Sequence, residues 1–370
     1  MKNMFPIMIE CGYQMQNYLS KYARTGEIIE FKEIFSRFTT DIISSCAFGI
    51  ETNSINNPES EFRNYGRKIF EPSFFFVIRF ILTSFFPKVR DFFGLRSIQK
   101  DVSDFFINVV KETMDYRERN NVKRNDFMDL LIQLKNKGKL DDVDIDDKYK
   151  KDLVSEEQTF SLNEAAAQAF VFFAAGFETS STTLSFAFYE LAINPEIQKK
   201  LQNEIDEVLN ENDNKLTYQS IIDMKYLEQV IMETLRKYPP LTLLGRMCTT
   251  DYEIPEMGVK LEKGTRVIIS LLGLQRDPDH FPNPDLFDPN RFSQEEISKR
   301  DHFTSMPFGE GPRNCIGNRF GLLQTKIGIV SVLSKFSIKP SEKTPIPMIF
   351  SKKSFILTPA AGMFLKIVER

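Results

Sequence analysis

Apolar residues recur at helical spacing through most of the first two thirds of the chain. The stretches 31–49 and 101–120 both carry an amphipathic pattern. A shorter helix is predicted over 126–135, with Asp126 as its cap ahead of Phe127, Leu130, Leu131 and Leu134. The longest predicted helix spans 161–193. Ser161 and Glu164 form a capping box at its start, and Asn194-Pro195 ends it. Helices over 195–210 and 226–237 come next, and Tyr238-Pro239-Pro240 breaks the second. The pattern then changes. Residues 251–274 hold strand-like runs with Gly258 and Gly264 at turns, and 275–292 is rich in Pro, Asp and Phe and is expected to be irregular but ordered. A Gly-rich loop at 308–317, a helix over 316–336 and short strands over 337–370 complete the order. The stretch 136–158 is rich in Lys and Asp and reads as a solvated connection. No linker separates two self-contained halves, so one large domain is expected.

Composition narrows the classes. With 370 residues, 42% apolar and 27% charged, the chain has a globular balance. A net charge of −3 gives no basic excess for a nucleic-acid binder. Cys11, Cys46, Cys248 and Cys315 lie far apart, and only His280 and His302 could assist them. A zinc ribbon, a four-Cys iron–sulfur cluster and a disulfide scaffold are thereby set aside. Phe stands at 35 and Trp at 0, so the interior or part of the surface is rich in Phe. No run reaches the roughly 18 apolar residues of a membrane span. The greasiest segment, 73–94, is broken by Arg79, Lys88 and Arg90. It reads either as a core hairpin or as a segment dipping into a lipid surface.

Three constellations carry chemistry. The first is Phe308-Gly309-Glu310-Gly311-Pro312-Arg313-Asn314-Cys315-Ile316-Gly317. It lacks the G-K-[ST] ending of a phosphate loop. A Cys at a helix start beside Arg313 favours the thiolate. The glycines allow close approach of a flat ligand and leave N–H groups able to point at the sulfur. A lone thiolate can be a nucleophile with a His base, one of several metal ligands, or the single protein ligand to an iron held by a porphyrin. Only the last needs no further ligand. The second is Glu233 and Arg236, which share a helix face at i, i+3, with Arg291 as a third partner for a buried pair. The third is Ala174-Ala175-Gly176-Phe177-Glu178-Thr179, mid-helix, where Gly costs about 1 kcal/mol against Ala. It reads either as a packing groove for another helix or as a gap for a small gas molecule. In the second reading the Thr179 hydroxyl faces the gap and Glu178 feeds protons inward.

These motifs, in the order A-G-x-E-T, E-x-x-R, D-P-x-R-F and F-G-x-G-P-R-x-C-I-G, resemble those of a eukaryotic microsomal cytochrome P450, with surrounding text similar to insect family 6. The resemblance implies a mainly α fold with small β-sheets. It implies haem b, with Cys315 as axial thiolate on the iron and Arg313 and Arg246 on the propionates. Phe308, Gly309, Gly311 and Ala175 would lie against the haem. Thr179 and Glu178 would deliver protons to dioxygen, and Glu233, Arg236 and Arg291 would form a structural triad. Substrate would meet Phe170, Ala174, Leu241, Leu243, Leu244, Ile356 and Leu357. The implied activity is insertion of one oxygen atom from dioxygen into a lipophilic small molecule. Electrons would come from NADPH–cytochrome P450 reductase, with cytochrome b5 as a further partner and Arg319 and Lys326 as docking charges. The implied location is the cytoplasmic face of the endoplasmic reticulum, with 73–94 on the membrane. At its front the chain departs from the family pattern: with no Trp, the W-x-x-x-R helix is absent, as are the anchor helix and hinge. The expectation is therefore a cytochrome P450 fold lacking its N-terminal portion, with 1–370 as the C-terminal three-quarters of one catalytic domain. The competing expectations are an inactive haem-binding fragment, a haem-thiolate isomerase or dehydratase, and a Cys hydrolase.

Overall fold

Helix α1, Phe5–Thr25, buries Met8, Cys11, Met15 and Leu19, which step along one face at intervals of three and four. The sequence reading assigns no helix here. The computed structural model describes residues 1–70, 98–138, 160–255 and 257–370. The membrane-surface segment 73–94 lies outside the described residues, as does the solvated connection from residue 139 to 158.

The chain divides into two compact units. One comprises Met1–Lys21 and Glu33–Ser181, the other Tyr22–Lys32 and Thr182–Arg370. In the first, helix α2, Phe31–Ile43, buries Ile34, Phe35, Phe38 and Ile42 and runs into a wide turn, Ser44–Phe48. Helices α3, Glu61–Phe70, α4, Lys100–Asn120, and α5, Phe127–Lys137, come after it. Phe48, Phe62 and Phe106 meet Phe173 of helix α6, Leu162–Ile193, mostly edge to face, with ring centroids 5.0–6.2 Å apart. Much of the high Phe content is thus interior. Gly66 lets α3 lie on the Phe173 ring, since a Cβ there would stand 2.5 Å from it. Asp126 caps α5 as the sequence predicts, accepting from the Asp129 N–H, and its carboxylate also pairs with the buried Arg117 at 2.6 Å. The Ser161–Glu164 capping box opens α6.

In the second unit, the C-terminal part of α6 is followed by α7, Pro195–Glu211, α8, Tyr218–Asp223, and α9, Lys225–Lys237. Glu204 on α7 accepts from the N–H groups of Tyr226 and Leu227, both at 2.8 Å, and so satisfies the open N-terminus of α9. Helix α10, Asn318–Leu333, is buried almost all round. It is shorter than the predicted 316–336. Ile316 is 99% exposed before it, and Phe336 already belongs to a strand.

Among the described residues the strands are β1 Ile28–Glu30, β2 Leu243–Met247, β3 Tyr252–Ile254, β4 Val259–Leu261, β5 Arg266–Ser270, β6 Phe336–Pro340 and β7 Phe364–Glu369. They form three antiparallel sheets, β1-β7-β6, β2-β5 and β3-β4. Gly258 and Gly264 take positive φ at the expected turns. The fold is mainly α with small sheets. Among the described residues no helix is long and apolar enough to cross a membrane.

Candidate functional site

The Gly-rich loop presents Cys315 exposed, three residues ahead of α10. Its shape is set by backbone bonds. The N–H of Gly309 donates to Met306 O at 2.9 Å, Asn314 to Gly311 O at 3.0 Å, and Cys315 to Phe308 O at 2.8 Å. Gly309 and Gly311 sit at φ +69° and +80°, where other residues are strained. Among the described residues no N–H reaches the sulfur at hydrogen-bond distance, contrary to the sequence expectation. The N–H groups of Asn314, Cys315 and Asn318 go to carbonyls instead, the last to Cys315 O at 3.4 Å. At Gly317 an added Cβ would stand 4.0 Å from Sγ, an ordinary contact, so this glycine is not needed to clear the sulfur.

Arg246 reaches this loop from β2. Its guanidinium donates to Gly245 O at 2.9 Å and Glu310 O at 3.3 Å. It has no carboxylate partner among the described residues. The Glu310 carboxylate is instead engaged by His302 Nε2 at 2.9 Å. Arg313 is exposed and makes no ion pair among the described residues. A half-buried cation satisfied only by carbonyls can still take a carboxylate, so Arg246 and Arg313 suit a ligand that carries two of them. A cavity of about 540 Å³ opens beside Arg246, lined also by Leu244, Ile269 and Met306. Neither histidine hydrogen-bonds Cys315, so the thiolate–imidazole pair of a hydrolase is not formed. Among the described residues no group of three His, Cys, Asp or Glu side chains could hold a bare metal ion.

The Glu233 cluster lies in the same unit. Glu233 and Arg236 have no exposure, and two hydrogen bonds join them, from Nε at 2.6 Å and from Nη2 at 2.8 Å. The Asp288 N–H adds a third bond to Glu233 at 2.9 Å. Arg291 completes the triad by charge, its Nε 3.6 Å from Glu233 and its Nη2 on Pro282 O at 2.6 Å. Burial pushes the Glu233 carboxyl up, while Arg236 pulls the other way.

The helix motif lies in the first unit. Thr179 Oγ1 donates to Ala175 O at 2.6 Å, a back-bond within α6. Glu178 is half-buried and Ala175 exposed. Gly176 is explained by packing, since a Cβ there would stand 2.8 Å from Ile43 Cδ1. The packing reading therefore holds at Gly176, and any gap for a small molecule lies on the Ala175 side. Phe170 packs edge-on to Phe106 at 5.2 Å, and Ala174 is half-buried.

The remaining sequence-predicted contacts are in the second unit. Leu241 and Leu243 are exposed and Leu244 is half-buried. Leu243 and Leu244 are consecutive on β2 and face opposite ways, so a ligand on one face meets only one of them. Ile356 is buried, while Leu357 is half-buried and donates its N–H to Pro240 O at 3.0 Å. Lys326 is not available for docking: it is buried and pairs with Glu228 at 2.9 Å. Arg319 is exposed. The sequence reading passed over Glu190, although a lone carboxylate in the apolar end of the long helix was the visible signal.

The family model for Cytochrome P450 matches residues 1–366. Cytochrome P450 6k1 of Blattella germanica is 43% identical over 372 residues, covering 100% of this chain and 71% of that protein. Probable cytochrome P450 6a13 of Drosophila melanogaster is 45% identical over 367 residues, covering 99% of this chain and 70% of that protein. Cytochrome P450 6a2 of Drosophila melanogaster is 42% identical over 373 residues, with 99% and 72% covered. At such identity over nearly its whole length, the chain belongs to the cytochrome P450 family.

Proposed function

We propose that this chain inserts one oxygen atom from dioxygen into a lipophilic small molecule, with electrons from NADPH passed on by a flavoprotein reductase. The reaction balances as substrate, dioxygen, NADPH and a proton giving hydroxylated product, water and NADP⁺. The chain is a P450-type monooxygenase, and the cofactor of its family is haem b. When bound, the haem supplies dioxygen activation, which a thiolate ligand assists by donating electron density. The carrying observation is the exposed Cys315 on its glycine loop, beside an Arg246 that has no carboxylate partner among the described residues.

In this reading Cys315 would supply the thiolate that holds the haem iron, and Arg246 and Arg313 would take the propionates. Gly309, Gly311, Phe308 and Ala175 leave room against the ring. Thr179 and Glu178 hold and pass protons on the dioxygen side. The Thr179 proton is committed to Ala175 O, so delivery requires the hydroxyl to turn away from that carbonyl. Glu233, Arg236 and Arg291 brace the thiolate side. Phe170, Ala174, Leu241, Leu244, Ile356 and Leu357 form the lipophilic lining, and their lack of charge supports an uncharged substrate. Residues 1–370 belong to one catalytic domain on the cytoplasmic face of the endoplasmic reticulum. Arg319 contributes to reductase docking, and cytochrome b5 serves as a second donor.

The electron source is tested without knowing the substrate. Haem-loaded protein is mixed with NADPH and NADPH–cytochrome P450 reductase under carbon monoxide, without dioxygen. The reading expects reductase-dependent growth of the carbonyl band, slowed by Arg319→Glu and by added salt. A band that forms with dithionite but not with NADPH and reductase would overturn the electron source. With a turned-over substrate, Thr179→Ala is expected to divert electrons to hydrogen peroxide. Unchanged coupling would remove Thr179 from proton delivery.

A further inference from the structure

Over 184–193, the C-terminal end of α6, Glu190 is the one charged residue, and it is 1% exposed. Burying a lone carboxylate is costly, so the chain must give it partners. Three side chains do so. Lys237 Nζ donates to Oε1 at 2.7 Å, the Tyr238 hydroxyl donates to the same oxygen, and Asn194 Nδ2 donates to Oε2 at 3.0 Å. Lys237 and Tyr238 end helix α9 immediately before Pro239-Pro240. The same stretch of α6 holds this turn by stacking, with Phe186 lying flat on the Tyr238 ring at 4.4 Å. Phe350 packs on both rings at 6.0 Å, and Tyr189 donates to Pro345 O at 3.1 Å. Residues 186–190 therefore grip two separate parts of the chain.

The grip reaches the ligand-facing stretches through the two prolines. Proline fixes φ at positions 239 and 240, so little freedom separates Tyr238 from Pro240 O. That carbonyl accepts the Leu357 N–H at 3.0 Å, and Thr242 O accepts the Leu272 N–H at 3.1 Å. The turn thus sets where 241–244 begins and where 356–357 lies beside it.

We propose that Glu190 is a positioning residue for ligand selectivity: by anchoring Lys237 and Tyr238 it fixes the Pro239-Pro240 turn, and through it the apolar stretches 241–244 and 356–357. The proposal rests on the reading that those stretches line the substrate pocket. A buried, fully partnered polar network specifies one arrangement more sharply than apolar packing does, because a shifted turn would strand a charge.

The test uses haem-loaded protein and two probes that bind haem iron through nitrogen, imidazole and the bulkier 4-phenylimidazole, titrated by visible absorption. Tyr238→Phe removes one hydroxyl and keeps the stack on Phe186, and Glu190→Gln removes the charge. Leu244→Phe probes the lining directly. The expected result for Tyr238→Phe and Glu190→Gln is an imidazole Kd within about twofold of the parent and a 4-phenylimidazole Kd changed by about fivefold or more. Leu244→Phe should likewise alter only the larger probe. If Leu244→Phe does so and Tyr238→Phe does not, the anchor is overturned while the lining stands. If Leu244→Phe has no effect, the lining reading fails and takes the anchor with it. If Tyr238→Phe moves both Kd values together, the network is a general brace and the positioning role is refuted.

Discussion

Replacing Glu233 by Leu should be among the most damaging single changes in the chain. The side chain has no exposure, and its carboxylate receives the Nε and Nη2 of an equally buried Arg236. After the substitution Arg236 keeps only carbonyl partners, Gln275 O and Pro284 O, both at 2.9 Å, and Leu286 O at 3.4 Å. Leaving a buried charge without its counter-ion costs about 3–5 kcal/mol. For a cooperative unit of roughly this size, about 2–4 °C of Tm goes with each kcal/mol, so a loss of about 6–20 °C is expected. The double variant Glu233→Leu with Arg236→Leu removes both charges. It should be less unstable than the sum of the two single variants, by a coupling of about 1–3 kcal/mol. Urea unfolding of the four proteins of this cycle, at one pH and salt concentration, gives that coupling. Single variants that each cost under about 1 kcal/mol, or effects that simply add, would refute the reasoning.

Gly49 sits at φ +69°, and a Cβ there would collide with Arg117 Nη2 at 1.8 Å. Gly26 has a similar φ of +70° and nothing within 4 Å. Gly26→Ala should therefore cost only the backbone term of about 1–2 kcal/mol. Gly49→Ala should cost distinctly more, because it also displaces Arg117 from Asp126, and equal losses in urea unfolding would contradict this account. Acid should weaken the Glu33 cluster. Burial works to raise the Glu33 carboxyl, but Arg63 and Arg37 outweigh it and hold it below its ordinary value. The folded chain thus keeps this carboxylate ionised where the unfolded chain protonates it. The stability it contributes is present above the ordinary value, about 4.3, and is lost as pH falls through the lower folded value. The stability gap between the parent and Glu33→Gln should be widest near neutrality and shrink below about pH 4. A gap that widened in acid would reverse the sign of the argument.

Most of the helices, though not α1, α3 or α8, were legible together with the capping residues and the chemical motifs, because each depends on local spacing. Asp126 and the Ser161–Glu164 box cap the helices they were assigned to. The Glu233–Arg236 pair needed only i, i+3 spacing on one helix to be visible, and the structure buries it as expected. Features that depend on distant partners were not legible. Strand β1 has three residues and exists because β7 pairs with it. Strand β2 was missed because Gly245 and Arg246 break its apolar alternation, while its ladder comes from β5, about twenty residues further on. The reason for Gly176 lay in Ile43 of another helix, and the burial of Lys326 lay in Glu228. A charge on a helix reads as surface until its partner is known.

The central claim is that Cys315 is the thiolate that holds haem iron. Its most direct measurement is the carbon monoxide difference spectrum of the reduced, haem-supplied chain, recorded beside Cys315→Ala. The account predicts a strongly red-shifted Soret band in the parent, the mark of a thiolate ligand, and its absence in the variant. A parent without that band, or a variant that keeps it, would contradict the account.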